Sequence, residues 1–225
     1  MLTQSVDYSF DARNIIVGRY VSEKALAAVG CVGPINSFII GAALGLTTGF
    51  TIPVAHAFGE GNRKKLCHFA GNSIFIAFVI GCVIMVASHL ISPILLNVVG
   101  TPDDIKGIAS SYINILYYGI PIQMLSNNFT AISRCTGESK KPLYFFCVSV
   151  VVNFVLDIIF VKYLSLGVEG AAVATLISHC VACLLNGIYV LRFNNSVKLK
   201  RSDFNPDKQT ILYQIRLGIP VSLQF

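Results

Sequence analysis

Long uncharged, apolar runs alternate with short polar clusters along the whole chain. Between Ala25 and Gly59, Leu66 and Gly100, Gly107 and Ser133, and Gly170 and Leu191 there is no Asp, Glu, Lys or Arg. Each run exceeds the ~20 residues that cross ~30 Å of hydrocarbon as a helix. Pro142 to Lys162, PLYFFCVSVVVNFVLDIIFVK, has the same length but carries Asp157 in its interior. With the opening MLTQSVDYSFDARNIIVG, these segments make six predicted spans, and a seventh is predicted to begin at Ile215. The opening span is the weakest. It holds Asp7, Asp11 and Arg13, reads as the outer half of a helix whose inner half is missing, and should insert poorly.

Composition turns this pattern into a class. With 54% hydrophobic and 12% charged residues and a mean hydropathy of +0.69, the chain reads as an all-α polytopic membrane protein rather than one or two soluble domains. The net charge of +6 is not a nucleic-acid surface, because it follows alternate loops. If the N-terminus is cytoplasmic, twelve of the 17 Lys and Arg fall in inner loops and four, Arg19, Lys24, Lys106 and Lys162, in outer ones, with Arg13 in neither set. That bias orients a multi-pass protein of the cell membrane. The polar, basic stretch after Arg192 is expected to meet lipid headgroups. The seven cysteines lie mostly in or beside apolar segments and read as packing residues. The opening residues lack the basic and apolar regions of a signal peptide.

Inside the spans, Asp157 is the first candidate for chemistry. A carboxylate at membrane depth costs roughly 2.5–3.5 kcal/mol by insertion scales, so it marks a group facing a bundle interior. Asn153, one turn earlier on the same helical face, can bond the carboxyl group in either protonation state. Gly41, Gly45 and Gly49 recur every four residues and predict a smooth groove for a second helix backbone. Pro34 and Pro53 lie near the two ends of the second span, where they can bend or start the helix, and Pro121 should kink the fourth span, freeing a carbonyl about one turn earlier. Thr101 is placed to cap a helix starting at Pro102. His56 reads as structural, and His89 near the outer end of the third span has no reading of its own. No GxSxG, no HExxH and no second carboxylate for paired acid–base work is present, so an enzyme is not expected.

The motifs VGR, ALAAVG, GLTTGFTIPVAHAFGEGN, SRCTGESKKP, NFVLD and GVEGAAVAT, in this order and spacing, resemble the multidrug and toxic compound extrusion (MATE) transporters. The resemblance covers essentially the whole chain. It implies the six-helix N-terminal lobe of a twelve-helix transporter, truncated at the start of helix 7. Residues 1–193 would form that lobe, 194–214 a cytoplasmic loop between lobes, and 215–225 the start of the second lobe. It also implies secondary active efflux of amphipathic or cationic small molecules by antiport against protons or sodium, with no further cofactor and no nucleic acid. Residue by residue, Asp157, Asn153 and Thr175 match the family's cation-coupling network, and Tyr112 matches a Tyr of the fourth helix. At 1.5 Å per residue, Asp157, Thr175 and Tyr112 all lie roughly 7–11 Å below the outer boundary. Asn127 is a further candidate, placed near the inner end.

One position departs from the family. Arg13 stands where the first helix is expected to carry an Asp, with Asp11 two residues earlier. An Arg13–Asp157 ion pair would hold Asp157 ionised. The missing half-cavity requires a second lobe, from another chain or from a homodimer. Two alternatives stand beside this reading: a non-transporting truncated fragment of such a pump, and a lipid-linked sugar flippase of the same superfamily. The flippase is expected to place several basic residues inside its cavity, where here Arg13 stands alone.

Overall fold

A computed structural model describes residues 23–224, and every regular element among them is helical. Helix α1 (Glu23–Phe50) and α2 (Ile52–Gly59) are separated at Thr51. Pro53 lacks the N–H that would continue α1, and the hydroxyl of Thr51 donates to the Thr48 carbonyl at 2.8 Å. Helix α3 (Arg63–Val98) follows. It ends at Gly100, whose φ of 74° lets the Thr101 N–H fold back onto the Leu96 carbonyl at 3.1 Å.

The run between Gly107 and Ser133 is divided into two 16-residue helices, α4 (Asp103–Tyr118) and α5 (Ile120–Cys135), which meet at Gly119. The kink expected from Pro121 falls at Gly119, which keeps right-handed helical angles (φ −79°, ψ −17°) and donates its N–H to the Leu116 carbonyl at 2.9 Å. Pro102 occupies the N-cap of α4. The Thr101 hydroxyl does not cap it: Thr101 is already committed through its backbone to closing α3.

Helix α6 (Lys140–Asp157) widens into a π-helical turn, Ile158–Tyr163, directly after Asp157, closed by a bond from the Leu164 N–H to the Ile159 carbonyl at 3.0 Å. Helix α7 (Gly167–Ile188) ends in a second such turn, Tyr189–Phe193. After a short 3-10 helix, Arg201–Phe204, the chain enters α8 (Lys208–Ser222).

Helix α8 begins at Lys208 rather than Ile215, because a polar cap outweighs the hydrophobic pattern. The Asp207 carboxylate accepts from the N–H groups of Gln209 and Thr210 and from the Thr210 hydroxyl. Asp207 is anchored in turn: its N–H donates to Asn72 Oδ1 at 3.0 Å, and His68 Nε2 lies 3.8 Å from its carboxylate. The bond from the Thr210 hydroxyl, more than any other influence, holds the Asp207 carboxyl below the usual carboxylate range.

Among the described residues four helical stretches, Lys24–Gly59, Arg63–Val98, Lys140–Tyr163 and Gly167–Phe193, are long and apolar enough to cross a membrane. Their outward faces have the character expected in lipid. Phe78, Val83, Val86, Leu90 and Ile94 are all exposed on α3, as are Leu143, Val151, Phe154 and Val155 on α6. A soluble protein rarely leaves so continuous an apolar stripe uncovered.

Contacts gather the chain into two compact units. The first combines the described residues up to Ser37 with Met85–Gly119 and Cys147–His179. Its buried side chains include Val29 and Val32 of α1, Tyr112 and Ile113 of α4, and the small Ala171, Ala172 and Ala174 of α7, which permit close helix approach. The second combines Phe38–Ile84, Ile120–Phe146 and Cys180 onward. Its core joins Val54 and Ala57 of α2, Leu66 and Ala70 of α3, Phe129 and Ile132 of α5, and Val190 and Val197.

The glycine groove of α1 is occupied within this second unit. A β-carbon on Gly45 would lie 2.5 Å from Ser222 Cα, and one on Gly49 would collide with Gly218 Cα, so α8 is the helix that the four-residue repeat admits. Gln214 of α8, with no exposed surface, reinforces the contact by donating to the carbonyls of Phe50 at 2.9 Å and Phe69 at 3.0 Å.

Candidate functional site

The last turn of α6 sets two polar side chains on one face of an otherwise apolar helix. Asn153 and Asp157 are four residues apart in regular α-helix, so they stand one above the other. Both are buried, with Asn153 9% and Asp157 2% exposed. The helix changes to π-helical bonding immediately beyond the carboxylate.

Thr175 of α7 meets this face. Asn153 Nδ2 donates to Thr175 Oγ1 at 3.4 Å, and the same hydroxyl donates to the Ala171 carbonyl at 2.9 Å. Ser178 continues the chain of bonds by donating its hydroxyl to the Thr175 carbonyl at 2.8 Å. A hydroxyl that accepts on one side and donates on the other is fully engaged, so it fixes the Asn153 amide in one orientation. The amide oxygen then remains available as a hydrogen-bond acceptor.

The remaining sequence candidates fall out as follows. Tyr112 of α4 is 1% exposed and belongs to the same unit as Asp157, Asn153 and Thr175. Asn127 is half-buried on α5, in the second unit. Its neighbour Asn128 is the fully buried amide there, and it accepts a hydrogen bond from the Ser73 hydroxyl at 3.3 Å. Asp11 and Arg13, with the ion pair between Arg13 and Asp157, lie outside the described residues.

Sequence reasoning missed the polar residues of the second unit. Asn128, Ser73 and Gln214 are wholly buried; Asn128 and Ser73 were signalled only as polar residues inside apolar runs, and Gln214 falls in the polar stretch read as a loop. It also missed the contact between His89 of α3 and Tyr117 of α4, whose rings meet edge-on with centroids 5.4 Å apart.

Comparison with known proteins agrees with this architecture. The family model described as MatE matches residues 5–159. "Probable multidrug resistance protein YoeA" of Bacillus subtilis is 30% identical over 217 residues, covering 92% of this chain and 46% of that protein. Among solved structures, an outward-facing conformation of a multidrug resistance MATE family transporter of the MOP superfamily superposes with a TM-score of 0.88 at 28% identity. It covers 99% of this chain and 50% of its own. An inward-facing conformation of a transporter described in the same words gives 0.86 at 26% identity, over 96% of this chain and 49% of its own. The chain thus spans about half the length of the relatives it matches, and that half is the N-terminal one. With the family model covering well over half of its residues, the chain belongs to the MATE family of transporters.

Proposed function

We propose that this chain is the N-terminal lobe of a cation-coupled efflux transporter of small amphipathic or cationic compounds, with Asp157 as the coupling carboxylate. The observation that carries the reading is the burial of Asp157, 2% exposed, in an apolar helix of membrane-spanning length beside the bonded pair Asn153 and Thr175. Antiport requires that the coupling cation and the drug favour different conformations, because a ligand that binds both states equally shifts nothing. An ionised Asp157 attracts a proton or sodium ion, and a neutral one does not. Asn153 and Thr175 link this change on α6 to α7, and Tyr112 lines the same unit. A comparable likeness to inward- and outward-facing relatives supports a lobe that keeps its fold while access alternates. A second lobe completes the cavity, and the assembly works in the cell membrane.

Ethidium efflux tests the proposal in cells lacking their own pumps, once membrane insertion has been checked. Cells expressing the chain should extrude ethidium faster than vector controls, and Asp157→Asn should abolish the gain. Efflux that persists with Asp157→Asn would remove Asp157 from the coupling role. A well-inserted chain with no efflux would show that the lobe does not transport without a second lobe.

A further inference from the structure

Helices α6 and α7 are joined by a short turn, so the start of α6 and the end of α7 come together within the second unit. A ring contact marks the place: Phe145 of α6 and Tyr189, which opens the π-helical turn after α7, lie 5.9 Å apart between centroids. Lys141 stands one helical turn before Phe145, and Arg192 stands three residues beyond Tyr189. At 1.5 Å per residue, both charges sit roughly 4–6 Å past the ring contact and on the same side of it. Lys140 opens α6 beside Lys141.

The two helix ends are tied to each other by buried polar groups. Asn194 donates its N–H to the Tyr189 carbonyl at 2.9 Å, which closes the π-helical turn, and its side-chain amide to the Thr136 hydroxyl at 2.9 Å. Thr136 in turn donates that hydroxyl to the Ser133 carbonyl at 2.9 Å. The segment that leads into α6 is thus clamped to the residue that ends α7, and Lys140, Lys141 and Arg192 project from backbone held in place on both sides.

All three basic side chains are exposed, and none has an ion-pair partner among the described residues. The acid of this segment, Glu138, lies beside Tyr189, so one negative charge stands against three positive ones. Next to the charges both helices turn apolar. Leu143 and Tyr144 on α6 and Leu184 and Ile188 on α7 are all at least half exposed. Fixed positive charge at one end and open apolar surface beyond it match a molecule with an anionic head and long hydrocarbon chains. A soluble phosphate compound would gain nothing from the apolar part.

We infer that the paired ends of α6 and α7 bind one anionic phospholipid. Its phosphate is held by Lys141 and Arg192 with Lys140 beside them, and its acyl chains lie along the apolar surface of the two helices. The Arg192 guanidinium is a planar fork that meets two phosphate oxygens at once, and the lysines act as point charges. The hydrocarbon stems of all three lie along apolar surface while their charged ends reach the headgroup layer. Basic pockets between the ends of membrane helices take up anionic headgroups in this way. A zwitterionic lipid carries its own ammonium group, which the three cations repel. Lys141 lies about 24 Å along α6 from Asp157, so this site is separate from the proposed coupling carboxylate.

Native mass spectrometry of the detergent-solubilised chain tests this, with phosphatidylglycerol as the anionic probe and phosphatidylcholine of the same chains as the zwitterionic one. The first phosphatidylglycerol should bind more tightly than phosphatidylcholine. Lys141→Gln and Arg192→Gln should each weaken it about fivefold, the weight of one basic residue at an anionic surface. Lys198→Gln combined with Lys200→Gln, which removes charge from the following loop, should leave the first binding event unchanged. Glycerol 3-phosphate, the same phosphate chemistry without chains, should not displace the lipid. Should the Gln variants not fold, the unaltered chain still decides, because raising the salt about tenfold should erase its preference for the anionic lipid. Equal affinity for the two lipids, no loss in either Gln variant, an equal loss in the Lys198 and Lys200 variant, displacement by glycerol 3-phosphate, or a preference that survives salt would each overturn the inference. The readout does not involve efflux, so its failure and that of Asp157 coupling are separable.

Discussion

Asn153 and Thr175, 22 residues apart, are joined by a hydrogen bond of 3.4 Å one turn before Asp157. Replacing the acceptor tests what the bond contributes. In Thr175→Val the Asn153 amide is left buried without its partner, which should lower stability by about 1 kcal/mol, while Thr175→Ser should restore it. Melting of the detergent-solubilised protein, followed by size-exclusion fluorescence, distinguishes the two variants. Equal melting temperatures would show that the bond contributes nothing.

The α1–α8 contact makes a steric prediction. A β-carbon on Gly218 would lie 2.6 Å from Phe50 Cε1, so Gly218→Leu must push α8 away from α1. Overpacking of this kind costs about 1–3 kcal/mol. The preceding loop, with Lys198 and Lys200, should then be cut faster by trypsin than in the unaltered chain.

Asp207 gives stability a pH dependence with a defined sign. Its folded-state carboxyl is held below the ordinary range, chiefly by the Thr210 hydroxyl. The cap therefore stabilises fully above the unfolded value of about 3.9, and that stabilisation is lost as pH falls through the lower folded value. The unaltered chain should melt above Asp207→Ala at pH 7, and the gap should close in strong acid. A gap that is the same at both pH values would assign the effect to something other than the charged cap.

Ile132 is fully buried in the core that joins α2, α3 and α5. Ile132→Ala should cost about 2–5 kcal/mol, by lost contacts and the cavity left behind. Ile132→Val should cost a fraction of that. Chemical denaturation monitored by circular dichroism measures both.

What the sequence made legible were features whose cause is local. The repeat of Gly41, Gly45 and Gly49 announced a close helix contact, because a missing β-carbon has that consequence wherever it occurs. It did not say that α8 would fill the groove, since the partner is set by packing about 170 residues away. Pro121 foretold the disruption of the fourth span through its absent N–H. Adjacent residues of a helix point about 100° apart, so Asn128 is buried while its neighbour Asn127 is half-buried. Asp157, Asn153 and Thr175 were legible because polar groups in apolar helices are costly. The ring contact of His89 with Tyr117 was not, because it joins two helices whose pairing no local pattern gives. The start of α8 was misplaced for a similar reason: Asp207 caps it from a segment with no hydrophobic periodicity.

The interruption at Gly119 bears on how the protein is made. Each half of the divided span, α4 or α5, has 16 residues and is about 24 Å long, short of the ~30 Å a bilayer core demands. Neither half can satisfy the insertion machinery alone. The interruption exposes backbone that lipid does not tolerate unless protein shields it. Shielding is supplied on both sides, by Leu176 against Gly119 and by Gly81 against Pro121. Gly81 lies on the preceding helix, but Leu176 lies on α7, which the ribosome has not yet produced when α4 and α5 emerge. The shielding of this segment is therefore complete only once α7 has packed against it.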